Sequence, residues 1–148
     1  MRRVKDILRN KGTEVWSVAP GATVYDALRL MAEKNVGAVL VMENERLVGV
    51  FSERDYARKV ALRGKTDKDT QVRAIMTERV VCVRPEQTVE ECMALMTDKR
   101  IRHLPVVQDE RVIGVVSIGD VVKSIISTQE FVIEQLETYI TGTPYRPE

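Results

Sequence analysis

The chain contains two similar copies of one segment, and this repeat limits the possible folds more than any other feature. When residues 15–55 are aligned with residues 80–120, 15 of the 41 pairs are identical, without a gap. Upstream, residues 4–8 resemble residues 72–76 at an offset of 68 instead of 65. Self-similarity over this length indicates a fold built from two copies of one structural unit.

Both copies predict the same element order, β-α-β-β-α, preceded by a short helical turn. Thr23 and Thr88 are followed three residues later by a carboxylate, which is typical of a capped helix start. Short polar turns separate the next two strands, so each pair is expected to form a hairpin. The predicted turns lie near 4–9 and 72–76, and the predicted strands are 15–18, 38–42 and 46–52, then 80–83, 103–107 and 111–117.

One such unit of about 60 residues buries too little surface to be stable alone, so we expect two units to share one core. The fold class is therefore α/β (α+β), with two repeats related by a pseudo-twofold axis. We expect the repeats to span residues 1–65 and 66–148, with the polar segment 63–71 as the linker.

The last helix is predicted to run from Ser117 to about Ile140, where Gly142 and Pro144 end it. This extension has no counterpart in the first copy. Its apolar stripe either packs on its own domain or forms a dimer interface. The stripe consists of Val121, Val122, Ile125, Ile126, Val132, Ile133, Leu136 and Ile140.

Composition excludes several classes of protein. The chain is 44% hydrophobic and 30% charged with a net charge of +1, which argues against disorder and against general binding of nucleic acid or anionic membranes. No apolar run approaches the roughly 20 residues that span a bilayer, and no apolar signal segment follows Met1. We therefore expect a cytoplasmic protein.

Metal binding and catalysis are not indicated either. His103 is the only histidine, and one histidine without partners at suitable spacing cannot build a metal site. No nucleophile with a general base is evident. We expect a protein that is not an enzyme and needs no metal.

The strongest local signal is the pair of segments Gly49-Val-Phe-Ser-Glu-Arg-Asp55 and Gly114-Val-Val-Ser-Ile-Gly-Asp120. Each lies where a strand ends and a helix begins, so the serine and aspartate could simply form a capping box. The same geometry also suits a ligand, because helix N-termini attract phosphate and a nearby carboxylate can hold ribose hydroxyls.

The doubled unit, this repeated motif and the strand Arg102-His103-Leu104-Pro105-Val106-Val107 together resemble a tandem pair of CBS domains, or Bateman module, over about residues 4–140. The resemblance implies a regulatory module that senses the energy or redox state by binding an adenosine ligand. The implied ligands are AMP, ADP or ATP, and sometimes NAD or S-adenosylmethionine. It also implies a homodimer that signals to an effector protein of unknown identity.

Carried onto this sequence, the resemblance implies two clefts between the repeats. The Asp120 cleft would use Ser117 and Asp120, with Val115 beside the base. The Asp55 cleft would use Ser52, Arg54 and Asp55. The opposite wall of the Asp120 cleft would be Ser17, Val18, Ala22, Val36, Gly37 and Ala38, and that of the Asp55 cleft would be Val83, Gln87, Ile101, Arg102 and His103.

The two clefts are not expected to be equivalent. Gly37 and Ala38 are small where the second copy has Arg102 and His103, so cations that suit phosphate gather near the Asp55 cleft. The alternative is a ligand-independent interaction or scaffold protein, in which the Ser/Asp pairs are only helix caps.

Overall fold

The computed structural model describes residues 2–141, without the side chains of residues 128, 131 and 137–141. Residues Gly142 and Pro144, which were predicted to end the last helix, lie outside this range. The elements are α1 Val4–Lys11, β1 Ser17–Val18, α2 Val24–Lys34, β2 Ala38–Glu43, β3 Arg46–Ser52, α3 Glu53–Asp55, a π-helix Tyr56–Ala61, a 3-10 turn Val72–Ala74, α4 Val89–Lys99, β4 His103–Gln108, β5 Arg111–Ser117 and α5 Ile118–Thr141.

The predicted helix starts of α2 and α4 are confirmed. Thr23 Oγ1 accepts the Asp26 N–H at 3.1 Å, and Thr88 Oγ1 accepts the Glu91 N–H at 3.1 Å. Each hydroxyl thereby satisfies one of the donors that a helix leaves free at its first turn.

The two predicted hairpins are confirmed, and they match in detail. Strands β2 and β3 pair antiparallel with an irregularity between Val41 and Met42, and β4 and β5 repeat it between Val106 and Val107. Both connections use two residues with positive φ, at 44–45 and at 109–110. Two positive φ values in a two-residue loop are typical of a type I′ turn, which suits the twist of a hairpin.

The strand predicted at residues 80–83 was wrong, and Pro105 explains why. In the first repeat, Leu40 N–H donates to Trp16 O at 3.0 Å, which supports β1 beside β2. Pro105 is the counterpart of Leu40 and has no N–H to donate. Only a single parallel bridge, Val83 with Val106, remains in the second repeat, so its sheet has two strands where the first has three.

The two repeats exchange the segments that precede them. Helix α1 contributes Val4, Ile7 and Leu8 to the core of the second repeat. The segment around the 3-10 turn contributes Val72 and Ile75 to the core of the first repeat. Each core therefore contains residues from both sides of the predicted division between residues 65 and 66.

Helix α5 leaves an apolar face uncovered. Val122, Ile126, Val132, Ile133 and Leu136 are between 40% and 56% exposed. Val121, by contrast, is fully buried and anchors the helix to the second repeat. Within residues 2–141, no helix is long and apolar enough to cross a membrane.

Candidate functional site

The two Ser/Asp motifs form matching capping boxes. Asp55 N–H donates to Ser52 Oγ at 3.2 Å, and Ser52 N–H donates back to Asp55 Oδ2 at 3.0 Å. Asp120 N–H donates to Ser117 Oγ at 3.2 Å, with a return bond from Ser117 N–H to Asp120 Oδ2 at 2.8 Å. Both serines are therefore helix caps, and both carboxylates are fixed at the start of a helix.

The motif glycines make room for the exchanged segments. A Cβ at Gly49 would lie 2.6 Å from Met76 Sδ, and a Cβ at Gly114 would lie 2.7 Å from Leu8 Cδ2. Both distances are shorter than van der Waals contact. We call the segments that precede the repeats, residues 4–11 and 72–79, the lead-in segments. Each glycine thus lets a side chain of a lead-in segment pack directly against the strand that ends in the motif.

The Asp55 carboxylate already has a full set of protein partners. Oδ2 accepts from the Ser52 N–H and the Ser52 hydroxyl, whereas Oδ1 accepts from Thr77 Oγ1 at 3.1 Å and lies 3.0 Å from Lys59 Nζ. A carboxylate offers about four acceptor positions. With its side chain 9% exposed, Asp55 has no acceptor left for a ligand in this arrangement.

The Asp120 carboxylate is more open. Its Oδ2 accepts from the Ser117 N–H and from Lys11 Nζ, which lies 2.7 Å away. Both of these contacts fall on Oδ2, and 22% of the side chain is exposed. Burial raises the pKa of Asp120, but bonds from Lys11 and Ser117 outweigh it, so the pKa lies below the ordinary 3.8. Asp120 is therefore ionised at neutral pH with acceptor positions to spare.

A cavity of about 530 Å³ lies beside the first motif, a size that suits a small-molecule site. Five Arg or Lys side chains and two carboxylates line it, so the cavity is electropositive. Its lining residues are Gly37, Val50, Ser52, Glu53, Arg54, Asp55, Thr77, Arg79, Val80, Val81, Lys99, Arg100, Ile101, Arg102 and His103.

The structure brings together six of the eight residues predicted for the Asp55 cleft. Ser52, Arg54, Asp55, Ile101, Arg102 and His103 all line the cavity. The other two do not line it. Val83 is 1% exposed in the core of the second repeat. The Gln87 side chain is held by the Arg84 N–H and by Glu91.

The residues predicted for the Asp120 cleft are distributed over several elements. Val115 and Ser117 lie at the end of β5, and Asp120 lies in the first turn of α5. Gly37 lines the cavity of the Asp55 cleft. The other residues of the predicted opposite wall belong to the first repeat. Ser17 and Val18 form β1, and Ala38 pairs with Ser52 at the start of β2. Val36 packs against the first core, and Ala22 O accepts the Val72 N–H.

His103 lines the cavity beside Asp55 and is also near enough to Lys11 and Asp120 for their charges to affect it. A Cβ at Gly37 would be 3.4 Å from its Cε1, so the ring lies against the backbone of the first repeat. Burial and the nearby Lys11 lower the pKa of His103 from 6.5, and Arg102 lowers it further, against opposing effects of Glu53 and Asp120. His103 is therefore a neutral half-buried side chain at pH 7.

The sequence pattern missed several residues beside the two carboxylates. Thr77 bonds Asp55, Arg79 lines the cavity, and Lys11 bonds Asp120. Lys11 and Arg79 are counterparts at the upstream offset of 68, and extending that alignment by three residues would have paired them. The sequence alone does not place Lys11 and Arg79 at the clefts, because the segments that carry them pack on the opposite repeat.

No metal site was found where the structure describes side chains. In that part of the chain, no group of three or more His, Cys, Asp or Glu residues is placed to hold an ion.

Comparison with known proteins agrees with the repeated architecture. The family model described as the CBS domain matches residues 4–62 and again 72–127. The mitochondrial CBS domain-containing protein CBSX3 of Arabidopsis thaliana is 41% identical over 149 residues, covering 94% of this chain and 72% of that protein.

Solved structures give the same result. The crystal structure of the CBS domain of NE2398 has a TM-score of 0.82 at 50% identity and covers 84% of this chain and 98% of that one. The CBS domain pair of MJ0100, in complex with 5′-methylthioadenosine and S-adenosyl-L-methionine, shares the fold with a TM-score of 0.73 at 24% identity, over 83% of this chain and 98% of that one. The chain belongs to the CBS-domain family, and its two repeats form a CBS pair.

Proposed function

We propose that this CBS pair is a non-catalytic regulatory module that binds adenine nucleotides, namely AMP, ADP, ATP or NAD, in the clefts between its repeats. The observation that carries the proposal is the electropositive cavity of the Asp55 cleft. Arg54, Arg79 and Arg102 line it together with Lys99 and Arg100. Guanidinium groups suit phosphate oxygens because each can form two parallel charged hydrogen bonds.

The two clefts would recognise different parts of a nucleotide most strongly. In the Asp55 cleft, the carboxylate is saturated by protein donors, so the cations would dominate through phosphate contacts. In the Asp120 cleft, the free acceptor positions of Asp120 would receive ribose hydroxyls. Val115 would lie beside the base there, with the predicted wall of the first repeat opposite.

The family gives this proposal further support. The MJ0100 pair, which has the same fold, holds two adenosine-containing molecules. Because its identity to this chain is low, the likeness supports an adenosine ligand as a class and does not select one nucleotide.

A thermal-shift panel of AMP, ADP, ATP, NAD and S-adenosylmethionine tests the proposal. A ligand present at 100 times its Kd should raise the stability of the folded chain by about 2.7 kcal/mol. Arg102→Gln should reduce the shift, whereas Arg111→Gln, at the start of β5 and outside the cavity, should leave it unchanged. The absence of a shift with all five ligands would overturn the proposal, and turnover of a bound nucleotide would overturn its non-catalytic part.

We also propose that the module is a homodimer through α5. Val122, Ile126, Ile133 and Leu136 recur at spacings of four, seven and three residues, close to a heptad repeat, and all are at least 40% exposed. A self-complementary helical stripe of this kind fits a second copy of the same helix. The signalling partner beyond the dimer is an effector protein whose identity the chain does not indicate.

Sedimentation equilibrium tests the dimer. Ile133→Glu should convert it to monomer because the new charge would be buried between helices. Gln135→Glu places the same charge on another exposed position of α5 and should leave the dimer intact. A wild-type chain that sediments as a monomer would contradict this proposal.

The alternative, a ligand-independent scaffold, is favoured by one observation: Asp55 behaves as a complete helix cap with no acceptor left over. It predicts a dimer without any ligand-induced thermal shift. The cytoplasmic location stays a prediction, and the Arabidopsis relative is named as mitochondrial.

A further inference from the structure

Lys11 joins the first helix to the Asp120 cleft. It is the last residue of α1, and its Nζ donates to Val115 O at 3.0 Å and to Asp120 Oδ2 at 2.7 Å. The ammonium group therefore hydrogen-bonds the Asp120 carboxylate, which the proposed function assigns to ribose. It also hydrogen-bonds the backbone carbonyl of Val115, the residue assigned to the base.

In the Asp55 cleft, Thr77 bonds the two groups that correspond to the Val115 backbone and the Asp120 carboxylate. Val50, the counterpart of Val115, forms two backbone hydrogen bonds with Thr77, at 3.0 and 2.9 Å. Thr77 Oγ1 also bonds Asp55. Backbone pairing cannot be undone without moving the chain, whereas one lysine side chain can change rotamer. Lys59 can also leave Asp55, but Thr77 would still cover that carboxylate. Movement of Lys11 alone uncovers both Asp120 and the Val115 carbonyl.

The Lys11–Asp120 contact is also weak enough to open. The side chains are 36% and 22% exposed, and ion pairs with this much access to water contribute little to stability. Opening it still leaves an ammonium group at the mouth of the cleft without its counter-charge. A ligand that brings its own anion supplies that charge, and a neutral ligand does not.

We propose that Lys11 is a specificity residue of the Asp120 cleft, an inference that rests on the proposed nucleotide function. It covers Asp120 and the Val115 carbonyl in the empty cleft, and it moves to the phosphate when a nucleoside phosphate binds. The cleft therefore selects nucleoside phosphates over the corresponding nucleosides. Because α1 packs in the core of the second repeat, this movement stays local to the side chain.

Isothermal titration with AMP and with adenosine tests the selection. The wild-type chain should bind AMP at least about tenfold more tightly than adenosine, a difference of roughly 1.4 kcal/mol. Lys11→Met should raise the affinity for adenosine, since Asp120 is no longer covered, and lower the affinity for AMP. In an Arg102→Gln background, which weakens phosphate binding in the Asp55 cleft, the AMP-to-adenosine ratio should fall towards one.

Two variants separate this role from a structural one. Lys11→Arg keeps the charge and should restore most of the ratio. Lys5→Met removes an exposed charge from the same helix and should leave the ratio at the wild-type value. The Tm of each variant is measured alongside, so that a loss of binding through unfolding is recognised.

The remaining outcomes separate a failure of the Lys11 proposal from a failure of the proposed function. If Asp120→Asn removes AMP binding but Lys11→Met leaves the ratio unchanged, the role of Lys11 is refuted and the proposed function stands. If Asp120→Asn changes neither the number of AMP sites nor their affinity, the Asp120 cleft binds no AMP and the role of Lys11 is refuted. If no adenosine ligand binds the wild-type chain, the proposed function fails, and the role of Lys11 fails with it.

Discussion

Asp55 and Asp120 hold the same position in two copies of one motif, yet their surroundings give them different roles. Asp55 is enclosed by Ser52, Thr77 and Lys59, whereas Asp120 is bonded by Ser117 and Lys11, both at Oδ2. The difference comes from the exchanged lead-in segments: Thr77 follows a 3-10 turn, whereas Lys11 ends a longer helix. A motif identifies the position, and its neighbours in space decide what the residue does.

Replacing each aspartate by asparagine should reveal this difference in stability. Asp55→Asn should lower the free energy of unfolding by about 2 kcal/mol, because buried donors lose a charged acceptor. Asp120→Asn should cost less than about 1 kcal/mol, because its ion pair is exposed. Urea denaturation of both variants measures the values, with Asp98→Asn on the surface of α4 as the control. Equal losses at the two motif positions would contradict the account.

His103 should make the protein less stable in mild acid. Its folded-state pKa lies below the 6.5 of the unfolded chain, chiefly because of burial and then Lys11. As pH falls below 6.5 the unfolded state therefore binds a proton before the folded state does, and stability falls. Glu53 and Asp120 oppose the effect, and Lys11 and Arg102 add to it.

Comparing unfolding at pH 7.5 and pH 5.5 isolates this histidine, the only one in the chain. The wild-type chain should lose up to about 1.4 kcal/mol more than His103→Gln over this interval. Asp120 and Asp6, whose pKa values also lie below 3.8, are still ionised in this range. The same loss in both proteins would show that His103 is not the group responsible.

At the scale of elements, the sequence predicted most of the architecture because the hairpins and helix caps are local. Thr23, Thr88 and the two serines cap their helices through contacts three residues away, which a pattern can show. The prediction of a strand at 80–83 was wrong because it depends on pairing with a distant residue. Pro105 removes one backbone donor, and the parallel pairing is reduced to one bridge. The π-helix after Asp55 was not predicted from the sequence either.

The first hairpin turn carries a correctable strain. Glu45 has φ 65°, a conformation that costs an ordinary side chain but not glycine. Glu45→Gly gives an Asn-Gly turn and should raise the free energy of unfolding by about 0.5–1 kcal/mol. Glu43→Gly, two residues earlier and inside β2, should lower it instead, because glycine weakens a strand. Thermal unfolding of both variants measures the signs, and a loss in both would contradict the turn assignment.

At the scale of the whole molecule, the exchanged segments make the repeats interdependent. Val4, Ile7 and Leu8 lie in one core and Val72 and Ile75 in the other, each supplied from the opposite side of the predicted boundary. The repeat itself is evident from the sequence. The exchange is not evident from the sequence, because a lead-in segment has the same apolar pattern whichever core it packs in.

The exchange predicts that the repeats cannot fold separately. Fragments 1–65 and 66–148 should each lack cooperative thermal unfolding, since each exposes part of a core. Mixed in equal amounts, they should regain the helical circular dichroism and a cooperative transition. Fragment 1–65 folding cooperatively on its own would show that Val72 and Ile75 are dispensable to the first core.

The proposed function requires the cationic cavity beside Asp55 to bind the phosphates of an adenine nucleotide. Titration calorimetry with ATP on the wild-type chain and on Arg102→Gln, with Arg111→Gln as the control, tests it most directly. We expect saturable binding that weakens about tenfold in Arg102→Gln and with rising salt, as a charged contact should. No heat of binding to the wild-type chain, or equal affinity in all three proteins, would contradict the claim.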